Sequence, residues 1–448
     1  MKHLTFSRIV VPAKKKHILK SFLSVTLLSA VCGLHAADHY SLKLTLDRTD
    51  GVYRNNDTII VSTDFRINNK PEQVPLEVKI FQVNNTCQTV KIPAGQKTFS
   101  ETIKGNTLRF TVSALGADGK PLMNEIQGRK VPVTAAIGAI AEPEKCTPFF
   151  QEPSDFQEFW DKALAELAKV PVKAERKQCN LSPKNKGKFN CWDVKVDCAG
   201  GKPVSGYLII PANAPAKSLP AVVTFQSAGV ASSWKTTVPG AISFSINAHG
   251  IENGHPRPFY LNLYKTDYAN YWWKNATDKN TYYFRSMFLR VKRALDYVKT
   301  IPEYDGRTLI VIGGSQGGAQ ALVAAALDPD VKIVSAMVPA MCDLGGIIGG
   351  RLSGWPQLIR MKNGRVLNES VSKTLMYYDM SFFAKRIKAD VYFTVGLIDT
   401  TCCPTSVFAA YNNIPGKKNI QIMPEGGHLY NLKSKAFHKR LKELTGAK

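Results

Sequence analysis

A serine set between glycines is the first feature of this sequence that could carry chemistry. Residues 313–317 have the sequence GGSQG and fit the pattern G-x-S-x-G, in which the central serine is a nucleophile exposed on a sharp turn. Arg307–Ile312 before this turn is apolar enough for a buried strand, and Gln316–Leu327 after it has the composition of a helix. The strand, turn and helix together favour a nucleophilic Ser315 over an ordinary glycine-rich turn.

A serine hydroxyl is a weak nucleophile and needs a base to remove its proton. In proteins that hold the nucleophile on such a turn, an acid and then a histidine follow it along the chain. His428 and His438 are the two histidines that follow Ser315. His438 lies in a basic stretch typical of a solvated terminal helix, whereas His428 lies in a glycine-rich loop after the strand candidate NIQIM. We therefore predict that His428 is the base.

The acid is expected between the serine and the histidine. Asp399 comes directly after the apolar run VYFTVGLI, at the end of a buried strand candidate. A carboxylate there would orient the imidazole and stabilise its protonated form. Asp343 and Asp379 are the alternatives for this role.

The negative charge that develops on an attacked carbonyl oxygen requires hydrogen-bond donors. One donor should be the backbone N–H of Gln316, next to the nucleophile, and the second an N–H from the loop after an earlier strand. The strand candidate PAVVTF is followed by the loop 226–229, in which we expect Ala228 to be the donor.

Two patterns of hydrophobicity divide the chain. From residue 40 to about residue 133, runs such as LEVKIF and LRFTV alternate apolar and polar residues between turn signals, which predicts an antiparallel sandwich. The stretch AAIGAIAEPEK, residues 135–145, is interpreted as a linker. After it, nearly continuous apolar runs such as VSGYLII and DVYFTVGL alternate with helical patterns, which predicts a mostly parallel sheet covered by helices.

The first residues have the features of a secretory signal. Lys14–Lys16 and Lys20 precede an apolar segment over residues 21–34, which is short for a membrane span. We expect residues 1–37 to be removed, a secreted or periplasmic location and no membrane span afterwards. Removal takes away six cationic residues and no acidic residue, so the net charge of +24 becomes +18.

The composition of the basic runs argues against a nucleic-acid-binding protein, and the spacing of the cysteines and histidines argues against a metal-binding one. The dense basic runs KNKGK and LKSKAFHKR are not interleaved with aromatic residues, so we expect no nucleic-acid partner. Eight of the nine cysteines follow residue 37 and could pair in an oxidising space, with Cys179, Cys191 and Cys198 close enough to close a local loop. No C-x-x-C or H-x-x-H spacing supports a metal site.

The chain from about residue 153 resembles the family of acetyl xylan esterases and cephalosporin C deacetylases, α/β-hydrolases that act on acetylated sugars. The matching stretches are PSDFQEFWDKAL, NTYYFRSMFLRVKRALDYV, GGSQGG, VGLIDTTCCPTSVFAAYNNI and EGGHLY. The resemblance gives Ser315, Asp399 and His428 the roles of nucleophile, acid and base. We therefore predict a signal over 1–37, an immunoglobulin-like all-β sandwich over 38–140, a linker over 141–152 and an α/β-hydrolase domain over 153–448.

This chain departs from the family in the loops around the predicted site. Residues 247–249 are Asn-Ala-His where the family usually has Arg-Gly-Gln, and residues 226–228 are Gln-Ser-Ala where it has His-Gly-Tyr. His249 could contact substrate, act as a second base or hydrogen-bond in place of the missing arginine, and Gln226 is a further candidate for substrate contact. Trp272 and Trp273, in an aromatic-rich span, could stack on sugar rings or pack as a lid or subunit contact.

The sequence thus predicts a secreted serine carboxylesterase that removes acetyl or other short acyl groups from a carbohydrate, with no cofactor or metal and with a homo-oligomer left open. A serine peptidase of the prolyl oligopeptidase type is the enzymatic alternative, although the N-terminal part is short for a propeller. The third hypothesis is a carbohydrate-binding protein that has kept the hydrolase fold without turnover.

Overall fold

The first part of the described chain consists of β-strands that bury alternate residues. A computed structural model describes residues 38–429 and 433–446, so the predicted signal segment lies outside the described residues. In the strand over residues 107–114, Leu108, Phe110 and Val112 are fully buried while the residues between them are partly exposed. This period of two follows from the pleat of a strand that has one face on a core. The strands of this part are β1 (Tyr40–Leu46), β2 (Val52–Tyr53), β3 (Thr58–Ile67), β4 (Lys70–Glu72), β5 (Leu76–Phe81), β6 (Cys87–Ile92), β7 (Thr98–Thr102), β8 (Thr107–Ala114), β9 (Met123–Ile126), β10 (Arg129–Pro132) and β11 (Thr134–Ala141).

These strands form two main sheets within the described residues, and we call them together the sandwich. One sheet has the order β2-β11-β8-β5-β6, and in the other β3 pairs with β1, β4 and β7. β9 and β10 form a separate hairpin. The buried faces share one apolar core that includes Ile59, Val61, Val78, Phe110 and Ile137.

The interpretation of residues 135–145 as a linker is wrong for its first half. Thr134–Ala141 is β11, which pairs antiparallel with β8 from Thr134 opposite Ser113 to Ile140 opposite Thr107. Small residues dominate this strand, so its sequence lacks the bulky alternating residues that mark the other strands. Ile137 and Ile140 are nevertheless buried, and pairing with β8 satisfies the backbone of the strand.

The second part of the described chain is built on one large, mostly parallel sheet of nine strands, in the order β12-β13-β14-β16-β15-β17-β18-β21-β22. β12, β13, β14 and β16 pair antiparallel, and all later pairs from β16 to β22 are parallel. The fold class predicted from the sequence, an α/β fold preceded by an all-β part, is confirmed. The strands are β12 (Ala174–Gln178), β13 (Phe189–Val196), β14 (Val204–Pro211), β15 (Leu219–Phe225), β16 (Ile242–Ile246), β17 (Tyr304–Gly314), β18 (Val331–Met337), β21 (Asp390–Gly396) and β22 (Lys418–Met423), with a small hairpin of β19 (Met361–Lys362) and β20 (Arg365–Val366) outside the sheet.

Helices cover both faces of this sheet. The helix over residues 283–298 buries Phe284, Met287, Phe288, Val291 and Leu295, which follow the period of 3.6 residues. The helix over residues 316–327 is almost entirely buried, because it lies between the sheet and neighbouring helices. The helices in the described residues are α1 (Phe156–Ala168), α2 (Arg257–Lys265), α3 (Tyr283–Val298), α4 (Gln316–Leu327), α5 (Glu369–Leu375), α6 (Met380–Ala384), α7 (Pro404–Asn412) and α8 (Lys435–Thr445), with 3-10 turns at Val83–Asn85, Pro143–Lys145, Pro183–Asn185 and Tyr271–Trp273.

Two further observations concern membranes and cysteines. None of the helices that the structure describes is long and apolar enough to span a bilayer.

Cys179, just after β12, forms a disulfide with Cys191 in β13, so two of the three cysteines expected to close a local loop do so. Cys198, the third, has a free and partly buried thiol.

Candidate active site

Ser315 occupies the sharp turn between β17 and α4. Its backbone has φ of 54° and ψ of −122°, a conformation that non-glycine residues rarely adopt and that costs about 1–3 kcal/mol. The flanking glycines make the turn possible. A methyl group on Gly313 would lie 2.0 Å from the Gly317 carbonyl oxygen, and one on Gly317 would lie 2.4 Å from the Phe225 carbonyl oxygen. The close packing around these glycines therefore holds Ser315 in the sharp turn between β17 and α4.

Asp399 lies in the tight turn that follows β21. The carboxylate is buried, and one of its oxygens accepts hydrogen bonds from the backbone N–H groups of Thr401 (2.8 Å) and Cys402 (3.0 Å). These two amides fix the plane of the carboxylate and leave its second oxygen for another donor. The turn itself thus supplies the orientation that an acid next to a histidine needs.

His428 reaches Asp399 because glycines allow their two loops to approach closely. β22 is parallel to β21, and the loop after it carries the histidine. A methyl group on Gly396 would lie 2.2 Å from the Gly426 carbonyl oxygen, so only glycine fits at this position. The Ile398 N–H donates to the same carbonyl (3.1 Å), which ties the two loops together.

The three side chains form one hydrogen-bonded array, the Ser–His–Asp array. His428 Nδ1 lies 2.8 Å from Asp399 Oδ2, and His428 Nε2 lies 3.0 Å from Ser315 Oγ. A carboxylate can only accept, so Nδ1 carries the proton and Nε2 is free to accept the serine hydroxyl proton. The His428 side chain is 23% exposed and Ser315 is 9% exposed, so solvent reaches the array from the serine side. The structure brings together all three residues that chain order and strand ends predicted.

The other acids considered from the sequence have structural tasks. Both Asp343 and Asp379 are fully buried away from the Ser–His–Asp array. Asp343 accepts from the Phe149 N–H and from Arg351 Nε, whereas Asp379 accepts from the N–H groups of Asp343 and Leu344. Burial, with the Asp343 carboxylate nearby, raises the pKa of Asp379 to about 7. These contacts hold loops in place, and within the described residues none of these hydrogen bonds comes from a histidine.

The loop predicted to supply the second oxyanion donor, residues 226–229, lies against the serine turn. The Ser227 hydroxyl donates to the Gly314 carbonyl at 2.9 Å, so the loop is fixed one residue before the nucleophile. Ala228 follows Ser227, and Gln316 follows Ser315. The two predicted donor amides therefore belong to segments that are joined by a hydrogen bond, as an oxyanion site requires.

Gln226 holds this loop by its side chain and is buried, which corrects its assignment as a substrate contact. The residue is 4% exposed. Its side-chain oxygen accepts from the Ala248 N–H (3.2 Å), and its side-chain amide donates to the carbonyls of Ala231 (3.3 Å) and Ser232 (3.1 Å). Gln320 in α4 donates to the Gln226 carbonyl at 2.9 Å.

His249 is also removed from substrate contact, because its side chain is completely buried. Its Nε2 lies 2.9 Å from the Gly229 carbonyl oxygen and its Nδ1 lies 2.6 Å from the Tyr283 hydroxyl. The rings of Tyr268 and Tyr271 pack against the imidazole at 4.8 and 4.7 Å between centroids. Burial lowers the pKa of His249 to about 3, so the ring is neutral. Of the roles open in the sequence, the structural one fits these contacts.

Tyr271 belongs to the aromatic-rich span around Trp272 and Trp273, for which the sequence predicted stacking or packing. Its hydroxyl donates to the Gln316 side-chain oxygen and accepts from the Gly229 N–H. Burial raises the pKa of Tyr271 well above its usual range, so the hydroxyl keeps its proton. This hydroxyl joins the oxyanion loop to the residue after the nucleophile. The aromatic-rich composition was the signal, but it did not reveal this hydrogen bonding.

Trp272 and Trp273 are half-buried beside this network. The Trp272 ring lies 5.8 Å from the Trp355 ring, and the Arg360 guanidinium lies 5.1 Å above the Trp273 ring. The backbone N–H of Trp355 donates to the Thr401 carbonyl at 2.9 Å, and Thr401 lies two residues beyond the acid. Trp272 and Trp355 thus form a partly exposed aromatic surface between the serine side and the acid side of the site. Trp355 was missed because no local pattern in its sequence connects it to the site.

Cys402 lies beside the array and completes a set of potential metal ligands. Within the part of the chain that the structure describes, ligand atoms of Asp399, Cys402 and His428 lie within 4.8 Å of one another. Burial and the Asp399 carboxylate raise the pKa of the Cys402 thiol well above its usual value, and a neutral thiol is a poor ligand. Both imidazole nitrogens of His428 are already hydrogen-bonded. The donor set therefore fits the Ser–His–Asp array better than a metal ion.

The mostly parallel sheet and the serine on a strand-to-helix turn define an α/β-hydrolase. Residues 141–442 match the acetyl xylan esterase family, and the chain therefore belongs to this family of carboxylic ester hydrolases. The resemblance drawn from the sequence is confirmed. The match begins at residue 141, so nearly all of the sandwich lies outside it.

Similar proteins carry related names. The chain is 32% identical over 295 residues to the acetyl esterase Axe7A of Xylanibacter ruminicola, and the aligned region covers 64% of this chain and 66% of the relative. The solved structure of acetyl xylan esterase 1 from Thermoanaerobacterium sp. JW/SL YS485 is 26% identical with a TM-score of 0.57, covering 68% of this chain and 96% of that one. The acetyl xylan esterase from Paenibacillus sp. R4 is 26% identical with a TM-score of 0.54, covering 68% and 98%.

Proposed function

We propose that this chain is a secreted serine carboxylesterase that removes acetyl groups from a carbohydrate, with acetylated xylan or its oligosaccharides as the substrate class. The observation that carries the proposal is the Ser–His–Asp array at the mouth of an α/β-hydrolase sheet in a member of the acetyl xylan esterase family. The names of the relatives support the choice of an acetyl ester on a sugar.

In the first half of the reaction, Ser315 Oγ attacks the ester carbonyl carbon and transfers its proton to His428 Nε2. Asp399 accepts the Nδ1 proton as a hydrogen bond and stabilises the imidazolium that forms. The carbonyl oxygen becomes an oxyanion, which the N–H groups of Gln316 and Ala228 stabilise. The tetrahedral intermediate then collapses, its bond to the sugar oxygen breaks, and that oxygen leaves with the proton from His428.

In the second half, water hydrolyses the acetyl-serine. His428 takes a proton from the water, the hydroxide adds to the acyl carbon, and the same two N–H groups stabilise the second oxyanion. Collapse breaks the bond to Ser315 Oγ, which recovers its proton from His428. Acetic acid is released, and the side chains of Ser315, His428 and Asp399 return to their starting state.

Aromatic side chains beside the array provide a surface for a sugar ring. Trp272 and Trp355 are partly exposed, and their ring centroids lie 5.8 Å apart. Flat apolar faces of pyranose rings stack on such indoles, and we propose that Trp272 and Trp273 take part in holding the carbohydrate.

We also propose that the protein is exported. The lysines and the apolar segment within residues 1–37 have the order of a secretory signal, and the Cys179–Cys191 disulfide is typical of an oxidising compartment. Detection of a mature chain that begins near residue 38 in the extracellular or periplasmic fraction would test this location.

Replacement of the nucleophile tests the reaction. Ser315→Ala should lower kcat for a chromogenic acetate ester and for acetate release from acetylated xylan by at least ~10³-fold, because no hydroxyl remains to form the acyl-enzyme. The protein should also lose labelling by a fluorophosphonate probe. Ser182→Ala is the matched control, since Ser182 is exposed and its side chain caps no helix.

The same assay separates the alternatives. Cleavage of an amide at a rate comparable to that of the matching ester would favour a peptidase. Folded wild-type protein that neither labels nor hydrolyses esters would favour a carbohydrate-binding protein without turnover. Undiminished hydrolysis by Ser315→Ala would overturn the assignment of the nucleophile.

A further inference from the structure

The sandwich contacts the loop that carries His428. β22 ends at Met423, and Pro424 begins the histidine loop. The backbone N–H of Gly138, in the last strand of the sandwich, donates to the Pro424 carbonyl at 2.9 Å. This hydrogen bond connects a sandwich strand to a catalytic loop four residues before its histidine.

The same glycine contacts the loop that carries Asp399. Leu397 is the first residue after β21 and lies two residues before the acid. A methyl group on Gly138 would lie 2.5 Å from the Leu397 carbonyl oxygen and 2.7 Å from its carbonyl carbon. Gly51, with φ of +70°, lies nearby, and a methyl group there would lie 2.8 Å from Leu397 Cδ1. The sandwich and the acid loop are therefore in direct backbone contact.

This contact is buried and rigid. Gly138 and Leu397 are both buried, and Ile140, two residues further along β11, is fully buried in the apolar core of the second part of the chain. The Leu397 N–H donates to the Met423 carbonyl at 3.0 Å, so the two catalytic loops are joined at the point where the sandwich meets them. A displacement at Gly138 is thus transmitted to both loops.

We infer that the sandwich positions the catalytic acid and base, and that Gly138 is the positioning residue through which it does so. The inference rests on the proposed roles of Ser315, Asp399 and His428. The sandwich would then take part in catalysis indirectly. The loops that carry Asp399 and His428 both contact Gly138 of β11, and this residue lies before the start of the family match at residue 141.

The size of the expected effect follows from the distances. Ordinary contacts of a methyl carbon begin at 3.4 Å, so a contact at 2.5 Å requires the acid loop or β11 to move by about 0.9 Å. The array has hydrogen bonds of 2.8 and 3.0 Å, and misplacement of a catalytic group by about 1 Å can cost ~10²-fold in rate. Trp272 lies in the 3-10 turn Tyr271–Trp273, which is a different segment, so binding of a small ester should be unaffected.

Gly138→Ala tests the inference by kinetics. With a small chromogenic acetate ester, kcat should fall by about 10- to 100-fold while KM stays within about twofold. The rate of fluorophosphonate labelling of Ser315 should fall in parallel. Gly128→Ala is the control, because Gly128 lies in the turn of the separate β9–β10 hairpin, with φ of +73° and no atom within 4 Å of an added methyl, so it strains the N-terminal part without touching a catalytic loop.

Hydrogen exchange gives a readout that does not depend on turnover. Amides in residues 397–403 and 423–429 should exchange faster in Gly138→Ala than in wild type or Gly128→Ala. If the wild-type protein hydrolyses no ester, the proposed function fails, while the exchange comparison still tests the contact. If Gly138→Ala keeps the wild-type kcat and the exchange of both loops, the inference is overturned.

A second variant covers a failure of Gly138→Ala to fold. Gly51→Ala places its methyl 2.8 Å from Leu397 Cδ1, 3.1 Å from Pro424 Cγ and 3.2 Å from the Gly138 carbonyl oxygen, so it presses on both catalytic loops. Because the shortest contact is with the end of a side chain, which moves more easily than backbone, the protein should fold. A fall in kcat at constant KM, with faster exchange in residues 397–403, supports the inference. Unchanged kinetics and exchange in this variant refute it.

Discussion

Burial of a single imidazole determines both the charge of His249 and its task. A carbonyl oxygen only accepts, so the contact with Gly229 requires the proton on Nε2, and Nδ1 accepts from the Tyr283 hydroxyl. The ring is therefore neutral in one fixed tautomer. Its Nε2–H donates to the carbonyl of Gly229, the residue after Ala228, while the Tyr271 hydroxyl accepts from the N–H of the same Gly229. The oxyanion loop is thus fixed by two buried rings in a chain that has replaced the family's usual residues.

The neutral state of His249 predicts a pH dependence of stability. In the unfolded chain its pKa is about 6.5 and in the folded protein about 3. Above pH 6.5 both forms are neutral, so stability is complete. Between pH 6.5 and 3 only the unfolded chain binds the proton, and the free energy of unfolding falls by up to ~1.4 kcal/mol per pH unit.

Comparison of wild type with His249→Gln measures this contribution. A glutamine amide can donate to the Gly229 carbonyl but does not titrate in this range. Denaturant unfolding at pH 7.0 and 4.5 should show wild type losing about 2–3 kcal/mol more than the variant. His438→Gln removes an exposed histidine and should follow wild type. Parallel curves for wild type and His249→Gln would show that His249 is not held neutral.

The sequence predicts those site residues that lie next to a recognisable strand or motif, and it does not predict contacts between residues far apart in the chain. Ser315, Asp399 and His428 were found because each follows a recognisable strand and because their order along the chain is fixed in this fold. A structural role was one of those left open for His249, but its partners were not found, because Gly229 and Tyr283 lie 20 and 34 residues away along the chain and no spacing rule connects them. Contacts between residues so far apart in the sequence are set by the packing of the folded protein.

At the scale of elements, the parallel strands and helices were predictable because their apolar runs are long. β11 was not, because alanine and glycine carry little hydrophobic signal, although the strand needs small residues to approach Leu397. β12, at the edge of the large sheet, is stabilised in a different way from the buried strands. β12 is mostly exposed, so burial contributes little there and a covalent bond holds the edge.

Loss of that bond should weaken the edge hairpin without affecting the reaction. The disulfide closes a loop with 12 residues of sequence separation, and its removal should lower the free energy of unfolding by about 3 kcal/mol. Cys179→Ser/Cys191→Ser should therefore have a lower urea midpoint than wild type, with kcat for a small ester unchanged, because β12 lies at the end of the sheet, five strands from β17. Cys87→Ser, at an exposed free cysteine, is the control. An equal midpoint for the double variant and wild type would contradict the prediction.

At the scale of the whole molecule, the sandwich and the α/β part behave as one unit in the described structure. Residues from His39 onward form a single compact body. Ile140 belongs to a sandwich strand but is buried in the core of the α/β part, and burial of such a side chain contributes about 2–3 kcal/mol. Two patterns in a sequence therefore need not mean two independent domains, because the pattern within each part contains no information about the contact between them.

This shared core predicts a single cooperative unfolding transition. All six tryptophans lie between residues 160 and 355, so their fluorescence reports only the α/β part, whereas far-ultraviolet circular dichroism reports both parts. The two signals should give the same urea midpoint for wild type, as two-state unfolding requires. Gly138→Ala should separate them, because it disrupts the contact at Leu397 while leaving the sandwich core around Phe110 intact. A wild-type protein whose circular dichroism changes in a step without fluorescence change would show that the sandwich unfolds alone, and would also remove the rigid support on which positioning of the catalytic loops depends.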